Sequence, residues 1–169
     1  MVIDMNYNNF IGVDPDLEKS GVAYLEKSTR KLEVCTLSFP DLLDYLKAVK
    51  EKSDELGEPV IVVVEAGWLN KGNWHLLSKD SRAVSAAKGN HTGRNHEVGR
   101  KIVEMCKHYG LEVVEKRPLR KIWKGKEGKI THKELSSFTG ITGRTNQEGR
   151  DAALIAWDYA GLPIRIKSK

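Results

Sequence analysis

The chain has 169 residues, of which 40% are hydrophobic and 30% charged, with a net charge of +5 and an isoelectric point near 9.1. That size suits a single domain with a full core spanning residues 1–169, and no stretch approaches the roughly 20 apolar residues of a membrane span. The opening Met1-Val2-Ile3-Asp4-Met5-Asn6 lacks the basic flank and apolar centre of a secretory signal, so a cytoplasmic location is expected.

In chain order, Phe10-Ile11-Gly12-Val13 is an apolar run that ends in Asp14, as expected of a strand buried on both faces. Pro15-Asp16 turns the chain. Gly21–Leu25 and Leu32–Leu37 read as two further strands, with Glu26–Arg30 as their hairpin. Pro40 opens a helix in which Leu42, Leu43, Leu46 and Val49 recur at helical spacing, and Gly57 stops it. Val60-Ile61-Val62-Val63-Val64 repeats the pattern of the first strand and ends in Glu65.

The segment from Gly67 to Lys79, with Trp68, Asn73, Trp74 and His75, predicts an ordered loop or a helix entry. A short helix is expected from Ser81 to Lys88 and a separate one from His96 to Tyr109. In the second, Val98, Ile102, Met105 and Cys106 share a face and Gly110 ends it. Leu111–Glu115 alternates as a strand. A basic loop follows from Lys116 to Lys129, then a short helix from His132 to Phe138 and a final helix from Asn146 to Ala160. The Arg165–Lys169 tail is basic. Cys35 and Cys106 lack metal-ligand spacing and are expected to be buried, reduced thiols. No ligand spacing links His75, His91, His96, His108 and His132.

These elements predict an α/β fold with a mixed five-stranded sheet flanked by helices. A right-handed crossover puts the strand ending at Glu65 parallel to and beside the one ending at Asp14. Glu148 and Asp151, three apart on a helix, project from one face. If that helix lies across the sheet, four carboxylates converge beside low-dielectric core. Their mutual repulsion is commonly relieved by a divalent cation, the requirement of metal-dependent phosphodiester chemistry. Taken singly, Asp14 before Pro15 also fits a turn former, and Glu148 fits a helix first turn favoured by the dipole.

From about residue 9 to 160 the sequence resembles the RuvC-type Holliday-junction resolvases, a branch of the ribonuclease H-like nucleases. Four segments in the family's order carry the resemblance. They are Ile11-Gly12-Val13-Asp14-Pro15 with Ser20-Gly21-Val22-Ala23, and Val62-Val63-Val64-Glu65. The others are Pro118 to Leu135 with Gly125, Gly128, Lys129 and Lys133, and Glu148-Gly149-Arg150-Asp151-Ala152-Ala153. The chain departs from the family at Asp16, where glycine is usual, in the Trp68–His75 insert, and at Glu148, where many members carry Asp or His.

The resemblance implies a metal-dependent, structure-selective endonuclease that resolves four-way DNA junctions by paired hydrolysis. Asp14, Glu65, Glu148 and Asp151 would bind two Mg2+ ions, with Mn2+ able to substitute. Lys133 would join the catalytic set, and Lys121 would contact phosphates or stabilise the transition state. Arg120, Lys124, Lys129 and Lys133 would help hold the DNA backbone, and Trp68 would stack on an unpaired base. A homodimer is expected, with the His96–Tyr109 helix as its candidate interface. Three other readings stay open: a related nuclease on other branched DNA or RNA-containing substrates, a non-catalytic nucleic-acid-binding module, and an actin-like nucleotide binder. The last lacks a second glycine-rich phosphate loop.

Overall fold

The computed structural model describes residues 6–70 and 79–165. The Asn73, Trp74 and His75 part of the expected loop, the first five residues and the tail beyond Arg165 lie outside them. β1 (Asn9–Asp14), β2 (Ser20–Glu26) and β3 (Lys31–Leu37) form an antiparallel meander. β4 (Val60–Glu65) and β5 (Glu112–Lys116) extend the sheet from the other side of β1. The strand order is β3-β2-β1-β4-β5, with β4 parallel to both β1 and β5. This mixed five-stranded sheet with helices on both faces is the α/β architecture expected from the sequence.

Alternation along the strands sorts the two faces. Ile11, Val13, Val62 and Val64 join a core with Leu42 and Leu46 of α1 (Phe39–Leu56) and Ile102 and Cys106 of α2 (Arg82–His108). On the opposite face, Phe10 and Ile61 pack with Ala156 and Trp157 of α4 (Gln147–Tyr159). Beside them Ala152 and Ala153 of α4 meet Ala23, Ile130 and Leu135, the last from α3 (His132–Thr139). Asp14 and Glu65 share the parity of Phe10 and Ile61, so both carboxylates fall on the α4 face.

The helix starts follow local chemistry. Ser38 caps α1, its hydroxyl accepting from the Asp41 N–H at 3.3 Å, with Pro40 in the first turn. Thr131 and Glu134 form a reciprocal capping box on α3, and the Asn146 side chain accepts from the Gly149 N–H at 3.0 Å to start α4.

Two expectations are corrected. The Ser81–Lys88 and His96–Tyr109 helices are one continuous α2, capped by Ser81 and running through Gly89 and Gly93. Each glycine costs about 1 kcal/mol relative to alanine, but extending a helix already anchored at Ile102, Val103 and Cys106 is cheap, and no proline interrupts it. Cys35 is exposed rather than buried, because β3 is the sheet edge and its side chains alternate into solvent, whereas Cys106 is buried.

Candidate active site

The parallel register pairs Val13 with Val64, so the next residues, Asp14 and Glu65, end adjacent strands side by side. α4 crosses above them at unusually short range. A Cβ on Gly12 would run into the Ala152 carbonyl, and one on Gly21 into the Glu148 carbonyl. Glycine at these two strand positions lets the helix backbone sit on the sheet, lowering Glu148 and Asp151 toward Asp14 and Glu65.

The electrostatics record the convergence. Burial holds the Asp14 carboxyl well above the ordinary carboxylate range, and Glu65, Asp151 and Glu148 push it further, against an opposing pull from Lys129. Burial and then Asp151 raise Glu65 to about 7, opposed by Lys121 and Lys129. Asp151 is also raised by burial. There the Gln147 hydrogen bond, Lys129, Lys121 and Arg150 pull the other way. Four acids from β1, β4 and α4 therefore share one electrostatic neighbourhood, with desolvation the largest influence on three of them.

The cations opposing them come from a tightly folded loop. The Trp123 N–H donates to the Gly128 carbonyl at 3.0 Å, and the Gly125 N–H to the Lys129 carbonyl at 2.9 Å. Gly128, with φ +74°, lies against the Lys121 backbone, bringing Lys121 and Lys129 together. The Trp123 ring stacks on Phe138 of α3 at 6.0 Å, and Glu134 accepts from the Lys124 N–H at 3.0 Å. Arg120, Lys124 and Lys133 are exposed around this loop. Lys116, by contrast, is taken up in an ion pair with Asp158 at 3.0 Å.

Trp68 sits in a single 3-10 turn just after β4. Its indole N–H donates to Glu115 at 2.9 Å and its ring rests against Gly99 of α2 near Pro15. The Arg100 guanidinium lies 5.7 Å from the ring centroid, and His96 meets its edge at 6.1 Å. These contacts make Trp68 a fastener between β4, β5 and α2. His132 Nδ1 lies 2.9 Å from the Thr145 hydroxyl, and His91 and His108 are exposed.

Sequence reasoning passed over Gln147, Arg150 and Asn95. Asn95 accepts from the Leu17 N–H at 2.9 Å and so ties α2 to the turn after Asp14. Gln147 donates to Asp151 at 2.8 Å, and its spacing four residues before that acid is a usable sequence signal. Arg150, three residues after Gln147, has a similar spacing signal for that bond, but its bonds to the Ile130 and Thr145 carbonyls leave no mark in the sequence.

No protein-family model matches the sequence, and no curated protein matches it. Among solved structures, T. thermophilus RuvC in complex with a Holliday junction substrate matches with a TM-score of 0.46 and 15% identity. The match covers 91% of this chain and 93% of that one. At that level it assigns no residue a role.

Among the described residues, no three His, Cys, Asp or Glu side chains are close enough to enclose a metal ion as placed. A magnesium site does not require such a cage. Mg2+ dehydrates reluctantly, keeps several waters and commonly takes only one or two protein carboxylates together with substrate phosphate. Half-buried acids that repel one another, all oxygen donors, have the chemistry of a hard-cation site. No helix among the described residues is long and apolar enough to cross a membrane.

Proposed function

We propose that the chain is a divalent-metal-dependent endodeoxyribonuclease that resolves four-way DNA junctions by paired phosphodiester hydrolysis. The observation that carries this reading is the Asp14 carboxyl, desolvated at the end of β1 and repelled by Glu65, Asp151 and Glu148. Three separate chain segments converge there on a charge that folding alone disfavours, which supports a functional reading over a stabilising one. Beside it, Lys121 and Lys129 supply the opposite charge that a phosphate backbone needs.

Asp14, Glu65, Glu148 and Asp151 would hold two Mg2+ ions, each taking one or two of these carboxylates together with waters and substrate phosphate, with Mn2+ able to replace either. Bound there, the metal would supply Lewis acidity toward the scissile phosphate and an activated water. The protein's own part is to fix the acids on a rigid sheet and helix, to hold Asp14 half-buried beside the core, and to neutralise phosphate with Lys121 and Lys129. Arg120, Lys124 and Lys133, exposed around the loop, would hold the flanking backbone, and Lys133 remains a candidate for transition-state charge. Trp68, half-exposed and packed on Gly99, would be a further candidate, stacking on an unpaired base. Two chains would act as a homodimer, with the part of α2 from His96 onward as the candidate interface.

The test is a gel assay with a four-way junction, a flap, a plain duplex and an RNA–DNA hybrid, each in Mg2+ and in chelator. Paired nicks confined to the junction in Mg2+ are expected. Preferential cutting of the hybrid or flap would redirect the substrate class, and binding without any cutting would replace the enzyme with a binding module.

A further inference from the structure

Arg150 is half-buried where α4, the basic loop and the turn before α4 meet, and its guanidinium serves all three. Nε donates to the Ile130 carbonyl at 3.0 Å. Nη1 donates to the Thr145 carbonyl at 2.9 Å and its hydroxyl at 3.3 Å, and Nη2 to Gln147 Oε1 at 3.0 Å. A guanidinium only donates, so the Gln147 oxygen must face it. The Gln147 amide nitrogen is thereby turned the other way, donating to Asp151 Oδ1 at 2.8 Å and to the Ile130 carbonyl at 3.3 Å. Reversing the amide would set its oxygen against a carboxylate and a carbonyl, and its NH2 against a cation. Arg150 thus removes that alternative.

The consequence reaches the reacting groups through two routes. One oxygen of Asp151 is held by a neutral donor. Ile130, whose carbonyl takes both side chains, directly follows Lys129, so the lysine's backbone is pinned to the turn of α4 that carries the acids. We infer that Arg150 and Gln147 are positioning residues that fix the Asp151 carboxylate and the Lys129 backbone in one arrangement competent to take up a divalent cation. This rests on the nuclease reading and deepens it. The Asp151 side chain becomes a pre-aimed ligand, in the way that outer hydrogen bonds orient metal-binding carboxylates elsewhere.

The alternative is an arginine that merely fastens a loop, and the two differ in measurable ways. Gln147→Met keeps the length of the side chain and leaves the Arg150 bonds to Ile130 and Thr145 in place, but removes the donor to Asp151. Arg150→Lys keeps the charge and loses the planar fork. Mn2+ binding to the nucleic-acid-free chain, read by calorimetry, should weaken about 10- to 100-fold in either variant. On a four-way junction kcat should fall while KM holds. The double variant should be no worse than Arg150→Lys alone, because both act through one carboxylate.

Wild-type Mn2+ affinity and kcat in Gln147→Met would overturn the inference. So would additive losses in the double variant. Gln147→Met decides the matter even if Arg150→Lys fails to fold. If the wild-type chain binds no Mn2+, the nuclease reading falls and this inference falls with it. If the wild type binds Mn2+ and the variants bind equally well, only the inference falls.

Discussion

At the scale of single residues, the acids at the ends of β1 and β4 are costly to the empty fold. Glu65 has its proton affinity raised to about 7, from an unfolded value near 4.5. A carboxyl raised in this way contributes stability that is fully present below about pH 4.5 and is lost as the pH rises through about 7. In chelator, Glu65→Gln should therefore melt higher than wild type, with the gap opening between pH 5 and pH 8. A rise of roughly 2–6 °C at pH 8 is expected, given about 2–4 °C per kcal/mol for a chain of this size. Asp14→Asn should behave likewise, because burial and three neighbouring acids all disfavour its charge. The same substitution should abolish junction cleavage while leaving junction binding in place, read by band shift in Ca2+ or chelator. Wild-type nicking by purified Asp14→Asn would remove Asp14 from the catalytic set. A lower melting temperature in chelator would show that its charge is compensated within the fold.

At the scale of elements, α4 is placed by what the strands lack. Gly21→Ala puts a methyl group against the Glu148 carbonyl, and backbone cannot swing aside as a flexible side chain can. Overpacking of this kind costs about 1–3 kcal/mol, so a fall of roughly 2–12 °C in melting temperature is expected. Cleavage should drop by more than the loss of folded protein explains, because α4 carries two of the four acids. Normal specific activity per folded molecule, measured below the melting transition, would contradict this placement of α4. The basic loop makes its own prediction. Lys121→Ala and Lys129→Ala should each weaken junction binding and each reduce the slope of log affinity against log salt by about one. An unchanged slope would mean that neither lysine meets a phosphate.

The strands, the parallel pairing of β1 with β4 and the convergence of Asp14 and Glu65 were legible in the sequence, while the place of β5 beside β4 was not. Apolar runs of four and five residues, each ending in an acid, have few alternatives once right-handed crossover is imposed. The α4 acids were legible from their three-residue spacing. Less visible was α2, because Gly89 and Gly93 weaken local propensity and the residues that sustain the helix lie a dozen positions further on. The Arg150–Gln147 network was hidden for a related reason. Its acceptors include the carbonyls of Ile130 and Thr145, which carry no side-chain signature, and Ile130 meets Arg150 only through tertiary structure. Trp68 was legible only as a choice between base stacking and structural packing. Its hydrogen bond to Glu115 and its seat on Gly99 give it packing partners while leaving the ring half-exposed.

At the scale of the whole molecule, the arithmetic of strand cleavage bears on assembly. The four acids of one site come from β1, β4 and α4 of a single chain, so one chain can supply one centre and one nick. Resolving a four-way junction takes two nicks on opposed strands, and a two-fold pair of chains matches the two-fold symmetry of that substrate. On the proposed reading, a supercoiled plasmid with an extruded cruciform should go directly to linear product under excess wild-type protein, with little nicked circle accumulating. Wild-type chains mixed with an excess of Asp14→Asn chains form mainly one-centre pairs, and these should leave nicked circles that are not converted further within the life of one complex. If the mixture yields linear product in proportion to its wild-type content, each chain cuts independently and the paired mechanism is wrong. If both preparations stop at nicked circles, the chain is a nuclease of branched DNA that makes single cuts. The acidic centre would then be retained and the resolvase assignment withdrawn.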